Sequence, residues 1–162
     1  MTEMGNHPRL QDRADSREGV PFLPDYVLFL LASTSAAASE EFHAEVRANG
    51  LRVPEWRVLA CLSDADGQMV TRLAALSLME QSRLTRIIDQ MDARGLVERR
   101  SDAADRRRVR VFLTPAGADL ARRMIDKARA HETALLDRLP GGSGRELKRL
   151  LRVVYRELCA DD

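Results

Sequence analysis

Residues 70–100 read VTRLAALSLMEQSRLTRIIDQMDARGLVERR, and their periodicity decides the fold. Val70 to Leu76 is a short helical candidate, Ser77-Leu78-Met79 a tight connection, and Glu80 to Arg94 a second helix stopped by Gly95. Two helices joined by so short a turn form a helix-turn-helix. In the second helix Leu84, Ile87, Ile88 and Met91 fall at i, i+3, i+4 and i+7, a single buried stripe. The opposite face then carries Ser82, Arg83, Thr85 and Arg86, with Asp89 and Gln90 further along, and Gln81 stands at the helix start. Amide, hydroxyls and guanidiniums at its N-terminal end, with acid only later, match the polarity of a helix whose start meets base edges and phosphates.

Immediately after Gly95 the period changes from 3.6 to 2. Leu96-Val97-Glu98-Arg99-Arg100 and the alternation of Val109, Val111 and Leu113 with Arg108, Arg110 and Phe112 predict a β-hairpin around a polar loop, Ser101 to Arg107. From Arg99 to Arg110 there are six arginines and two aspartates, a local charge of +4 in twelve residues. The whole chain carries only +1, from 26 Lys plus Arg against 25 Asp plus Glu. Such concentration beside a presumed reading helix is the footprint of a polyanion site.

Upstream, Asp25 to about Ala48 contains no Gly or Pro and favours one long helix, apolar nearly all round in its first half and ended by Asn49-Gly50. Pro54 sits at an expected first helical position of a second helix with Trp56, Leu59, Ala60 and Leu62 on one face. Downstream, Thr114 is the expected N-cap and Pro115 the first residue of a helix running to about Leu139. After Pro140-Gly141-Gly142, Ser143 to Glu146 matches a capping box before a last helix with Leu147, Leu150, Leu151, Val154 and Leu158 on one face.

The 162 residues suffice for about one domain, and 44% hydrophobic with 31% charged residues exclude a disordered or membrane-spanning chain. The polar stretch over residues 1–21 lacks an apolar signal segment and is expected to be a flexible arm. Cys61 and Cys159 stand too far apart for a paired zinc site and fit a reducing cytoplasm. Cys61 reads as a small core residue, and Cys159 as a passive residue near the end of a helix. His7, His43 and His131 are scattered, so neither a metal nor another cofactor is expected. The chain offers no paired carboxylate motif, nucleophile elbow or phosphate loop, and Gly141-Gly142-Ser143-Gly144 neither follows a strand nor continues to Gly-Lys-Ser. An enzyme is not expected.

LTRIIDQMDARGLVER over residues 84–99 and DRRRVRVFLTPAG over residues 105–117 resemble the MarR family of bacterial transcriptional regulators, and the likeness extends over almost the whole chain from Tyr26. The resemblance implies a mainly α, winged helix-turn-helix protein with a small β-hairpin wing and a helical dimerisation region. Residues 22–50 would form the first dimerisation helix, 51–117 the DNA-binding region and 118–162 the C-terminal dimerisation helices. Glu80 to Arg94 would lie in the major groove of double-stranded operator DNA, with Arg83, Gln81 and Ser82 reading bases and Thr85 and Arg86 touching bases and phosphates. Arg106, Arg107 and Arg108 would contact DNA from the wing, with Arg107 at its tip in the minor groove and Asp105 bracing it. Arg83 stands where many members have a small hydroxyl residue, which leaves the operator sequence open. Peroxide-sensing members carry their cysteine near the start of the first helix, where this chain has Leu28.

The resemblance also implies a homodimer released from DNA by a small-molecule effector, an aromatic carboxylate or its coenzyme A thioester. Tyr26, Phe29, Phe42, His43, Trp56 and Arg57 are the candidate effector-binding residues, although Trp56 alone reads as core. The competing reading is a winged-helix protein-interaction module that binds DNA weakly and without sequence preference.

Overall fold

The structure is a computed structural model, described over residues 21–102 and 108–159. Two compact units divide the chain between Ala37 and Ala38. The first holds a 3-10 turn, Leu23–Asp25, and the start of helix α1, Val27–Ala48. Asp25 belongs to that turn and not to the helix expected from it. Here Phe22, Leu23, Val27, Leu28, Phe29, Leu30 and Leu31 are exposed.

The second unit holds the rest of α1 and then α2 (Val53–Asp64), β1 (Gln68–Met69), α3 (Val70–Leu76), α4 (Gln81–Ala93), β2 (Val97–Ser101), β3 (Val109–Leu113), α5 (Pro115–Asp137) and α6 (Ser143–Cys159). Its core gathers Val46, Val58, Leu59, Leu62, Leu73, the four-residue stripe of α4, Val97, Val111, Ala121 and Met124. Leu84, Ile88 and Met91 are fully buried and Ile87 nearly so, because residues three and four apart share one helix face. Gly95 takes φ +67° and ends α4, a conformation that costs glycine least.

β2 and β3 pair antiparallel from Val97↔Leu113 to Ser101↔Val109. β1, absent from the sequence reading, adds a third strand through Gln68↔Val111 and Met69↔Arg110, giving the order β1-β3-β2. Pro54 is the second residue of α2, one place later than expected, since Val53 is already helical. The start of α5 is as expected: Thr114 is the N-cap and its Oγ1 accepts from the Gly117 amide at 3.0 Å. The capping box at Ser143 does not form. Pro140–Gly142 is itself a 3-10 turn that leads straight into α6, so Ser143 is already helical and its hydroxyl donates to the Pro140 carbonyl at 2.7 Å. Glu146 instead pairs with Arg149 at 2.6 Å. No helix among the described residues is long and apolar enough to cross a membrane.

Glu55, 1% exposed, fastens the loop between α1 and α2 to the far end of α4. Its carboxylate accepts from the Arg52 amide at 2.8 Å, the Arg52 guanidinium at 2.7 Å and Arg94 at 3.0 Å. Arg94 also donates to the Gly50 carbonyl at 2.9 Å, and Arg52 reaches Gln90. Burial pushes the Glu55 carboxyl up, but the hydrogen bonds from Arg52 and Arg94 outweigh it and leave the group below its ordinary value. A depressed folded-state value contributes stability above the unfolded Glu value, about 4.3, and that contribution is lost as pH falls through the folded one. Glu55→Gln is therefore expected to lower stability by about 2 kcal/mol near neutrality. Urea unfolding should show the difference from wild type shrinking below about pH 4; a gap of constant size would mean that the carboxylate charge contributes nothing.

Candidate nucleic-acid interface and adjoining cleft

The exposed face of α4 is the one that periodicity assigns. Gln81, Ser82, Arg83 and Arg86 are exposed, and Thr85 is half-buried with its hydroxyl donating to the Gln81 carbonyl at 2.9 Å. Arg83 and Arg86 make no hydrogen bond or ion pair with any described residue. Among the described residues no carboxylate holds their guanidiniums, and both side chains are exposed.

The arginines of the wing behave differently. Arg99 donates to the Thr85 carbonyl at 3.2 Å and pairs with Asp89, pinning β2 to α4. Arg100 pairs with Glu98 and lies 4.5 Å over the Phe112 ring, a cation–π contact. Arg110 pairs with Asp102 and donates to the Gly67 carbonyl at 2.9 Å. Three of the six arginines counted in the sequence thus serve the hairpin itself. Arg108 stands with Gln81, Thr85, Arg99 and Thr71 around a notch of about 320 Å³ between the wing, α3 and the start of α4. Asp105, Arg106 and Arg107 lie outside the described residues.

A second concavity, about 340 Å³, opens between α2, α5 and the part of α1 that belongs to the second unit. Phe42, His43, Trp56 and Arg57 line it, four of the six residues singled out for effector binding. Tyr26 and Phe29 belong to the first unit and are not among its lining residues; Tyr26 stacks on Phe22 with ring centroids 4.8 Å apart. Phe42 meets Trp56 edge-on at 5.5 Å and His131 at 5.6 Å. Sequence reading missed the α5 wall, which includes Ala128, His131, Glu132 and Leu135. Their i, i+3, i+4, i+7 spacing was a readable signal of one face. Glu132 is engaged by Lys148 at 2.6 Å. The Glu41 carboxyl is lowered to about 2 by its hydrogen bonds from Arg138.

Cys61 is half-buried against the core, and burial followed by the charge of Asp64 pushes its thiol up, keeping it protonated at neutral pH. Cys159 is exposed on α6. Among the described residues no group of His, Cys, Asp and Glu could hold a metal ion.

Two helices, a turn of four residues and a three-stranded sheet with an arginine-bearing hairpin define a winged helix-turn-helix protein. The MarR family model matches residues 51–109. A solved MarR family transcriptional regulator from Silicibacter pomeroyi DSS-3 is 56% identical, with 86% of this chain and 99% of that chain covered and a TM-score of 0.78. The chain belongs to the MarR family of transcriptional regulators, which are not enzymes. It is also similar to the transcriptional repressor IacR of Pseudomonas putida, 25% identical over 83% of this chain and 80% of that protein. The Mycobacterium tuberculosis MarR family protein Rv2887, solved in complex with p-aminosalicylic acid, is 26% identical at a TM-score of 0.67, with 80% of this chain and 98% of that chain covered.

Proposed function

We propose that this chain is a repressor that binds a pseudo-palindromic operator as a homodimer and leaves it when a small aromatic carboxylate occupies the cleft lined by Phe42, His43, Trp56 and Arg57. The observation that carries the DNA-binding part is the contrast between arginines: Arg83 and Arg86, exposed at the start of α4, have no ion pair among the described residues, while Arg99, Arg100 and Arg110 are held by the protein itself. Guanidiniums kept free of carboxylates can pair with guanine edges and phosphates. Gln81, Ser82 and Thr85 supply the remaining polar contacts of that face. On the wing, Arg106, Arg107 and Arg108 take the minor-groove role, with Asp105 as the brace.

The dimer is supported by α6, whose Leu147, Leu150, Leu151, Val154 and Leu158 form an exposed apolar row at helical spacing. A second copy would cover it. Two reading heads then require half-sites about 10 bp apart. The effector class is supported by the aromatic walls and Arg57, and by the p-aminosalicylic acid held by the relative. A cleft of about 340 Å³ suits a single-ring acid and would leave the nucleotide of a coenzyme A thioester outside.

Fluorescence anisotropy with the DNA upstream of the gene and with a scrambled duplex, at two salt concentrations, tests this reading. The expected result is tight, salt-steep binding to the upstream DNA alone, reversed by salicylate or a related acid. Weak binding to both duplexes at both salts would replace it with the protein-interaction module.

A further inference from the structure

We infer that Arg57 is the point at which a ligand in the cleft acts on the reading head, by exchanging a hydrogen bond to the Ser77 carbonyl for a salt bridge to the ligand's carboxylate. This rests on the cleft being the effector site and adds the route by which occupancy reaches α4.

Arg57 lines the cleft and extends from α2 to the helix-turn-helix, where its Nη1 donates to the Ser77 carbonyl at 3.4 Å. That is long for an N–H···O bond, whose usual range ends near 3.2 Å. A carboxylate would accept the same donor in a charge-assisted bond about twice as strong as a neutral one. The exchange is therefore favourable for an anion and not for its neutral counterpart. The other titratable groups of the wall do not compete for that role. Glu132 is held by Lys148, and His43 stands 3.8 Å from Glu40, which itself pairs with Arg47. His131 Nε2 is buried with no hydrogen-bond partner among the described residues, 3.4 Å from Glu41, and Glu41 is held by Arg138. Arg57 has no carboxylate partner among the described residues.

The segment at the other end of this bond carries backbone strain. Ser77, 1% exposed, opens the connection between α3 and α4, and both its hydroxyl and its amide donate to the Leu73 carbonyl. Leu78 follows at φ +56°, a left-handed conformation that a bulky side chain rarely adopts, and it is 82% exposed, so little packing holds it there. The Met79 amide closes the turn on the Ala74 carbonyl at 3.0 Å. Thus a strained turn immediately before the reading helix receives from α2, beside the core packing of Leu73 and Leu84, one long side-chain hydrogen bond that starts in the cleft. With Arg57 on Ser77, the turn is held; with Arg57 on a ligand, Leu78 is free to relax and the first turn of α4 can shift, while the buried stripe and the pair of Glu55 with Arg94 keep the rest of that helix on α2. The ligand then has the differential interaction with two states that a switch requires.

Calorimetry with salicylate and its neutral analogue salicylamide, alongside operator anisotropy, tests the relay on wild type and Arg57→Met. Wild type should bind salicylate and release DNA, whereas salicylamide should bind at least tenfold more weakly and release little. Arg57→Met, exposed and expected to melt with wild type, should lose about tenfold in salicylate affinity and several-fold in operator affinity without ligand. Wild-type operator affinity in a normally melting Arg57→Met, with release at the same fractional salicylate occupancy, would overturn the relay while leaving the cleft reading intact. Absence of salicylate binding to wild type at millimolar concentrations would overturn the cleft reading and the relay together.

Discussion

Gly117→Ala should destabilise the protein by about 3 kcal/mol or more, a fall in Tm of roughly 10 °C for a chain of this size. Helix propensity alone predicts the opposite sign, since alanine is favoured over glycine inside a helix by about 1 kcal/mol. The steric term wins because the new Cβ would lie 1.8 Å from the Leu96 carbonyl oxygen and 2.9 Å from its carbon. Both are backbone atoms and cannot rotate away. The same carbonyl accepts the Thr114 amide at 3.2 Å, and Thr114 Oγ1 donates to the Gly95 carbonyl at 2.6 Å. The start of α5 is thereby seated on the junction between α4 and the wing, and any shift that makes room for a methyl group breaks that seat. A lower urea midpoint at unchanged slope is the expected readout. A variant as stable as wild type would show that α5 approaches Leu96 less closely than this.

That junction also shows why parts of the fold were legible. The Thr-Pro-Ala-Gly start of α5 and the stripe of α4 are local signals, fixed by capping chemistry and by the 3.6-residue period, and the structure places both as read. β1 gave no such signal, because two residues cannot show a period; only pairing with Val111 and Arg110, about forty residues away in sequence, makes them a strand. Ser143 failed for a different reason. Its sequence fits a capping box, but the 3-10 turn before it already supplies a carbonyl for its hydroxyl.

The exposed face of α4 was legible from its period, whereas the charge summed over the wing does not lie on one face. Summing the arginines gave a field of +4, yet neighbours on a strand point to opposite faces, so Arg99 and Arg100 could not both face one partner. Arg99 turns to Asp89 on α4 and Arg100 to the Phe112 ring. The hub of Arg52, Glu55 and Arg94 was partly accessible, since Glu55 sits three residues after Arg52 at a helix start and can accept its amide. Arg94 joins from 39 residues further along, a contact with no local signature. The α5 wall of the cleft was hidden likewise: spacing defines a face but not what the face meets.

Combining Arg83→Ala and Arg86→Ala should lower affinity for the operator about a hundredfold or more, because a bidentate pair with a base is worth about 1–3 kcal/mol. Affinity for a scrambled duplex should fall much less, by whatever phosphate contacts these side chains also make, so the ratio between the two duplexes collapses. Stability should barely change. Both side chains are exposed and neither holds a described residue, so truncation removes no internal bond. Arg99→Ala is the informative contrast, because it cuts the ties to the Thr85 carbonyl and Asp89, and any loss of DNA binding should come with a lower melting temperature. Anisotropy titrations at two salt concentrations, paired with thermal melts of the same samples, separate the two kinds of arginine. If the double variant kept the wild-type ratio between operator and scrambled DNA, the base-reading role of α4 would have to be given up. Specificity would then lie in the wing or in the deformability of the DNA.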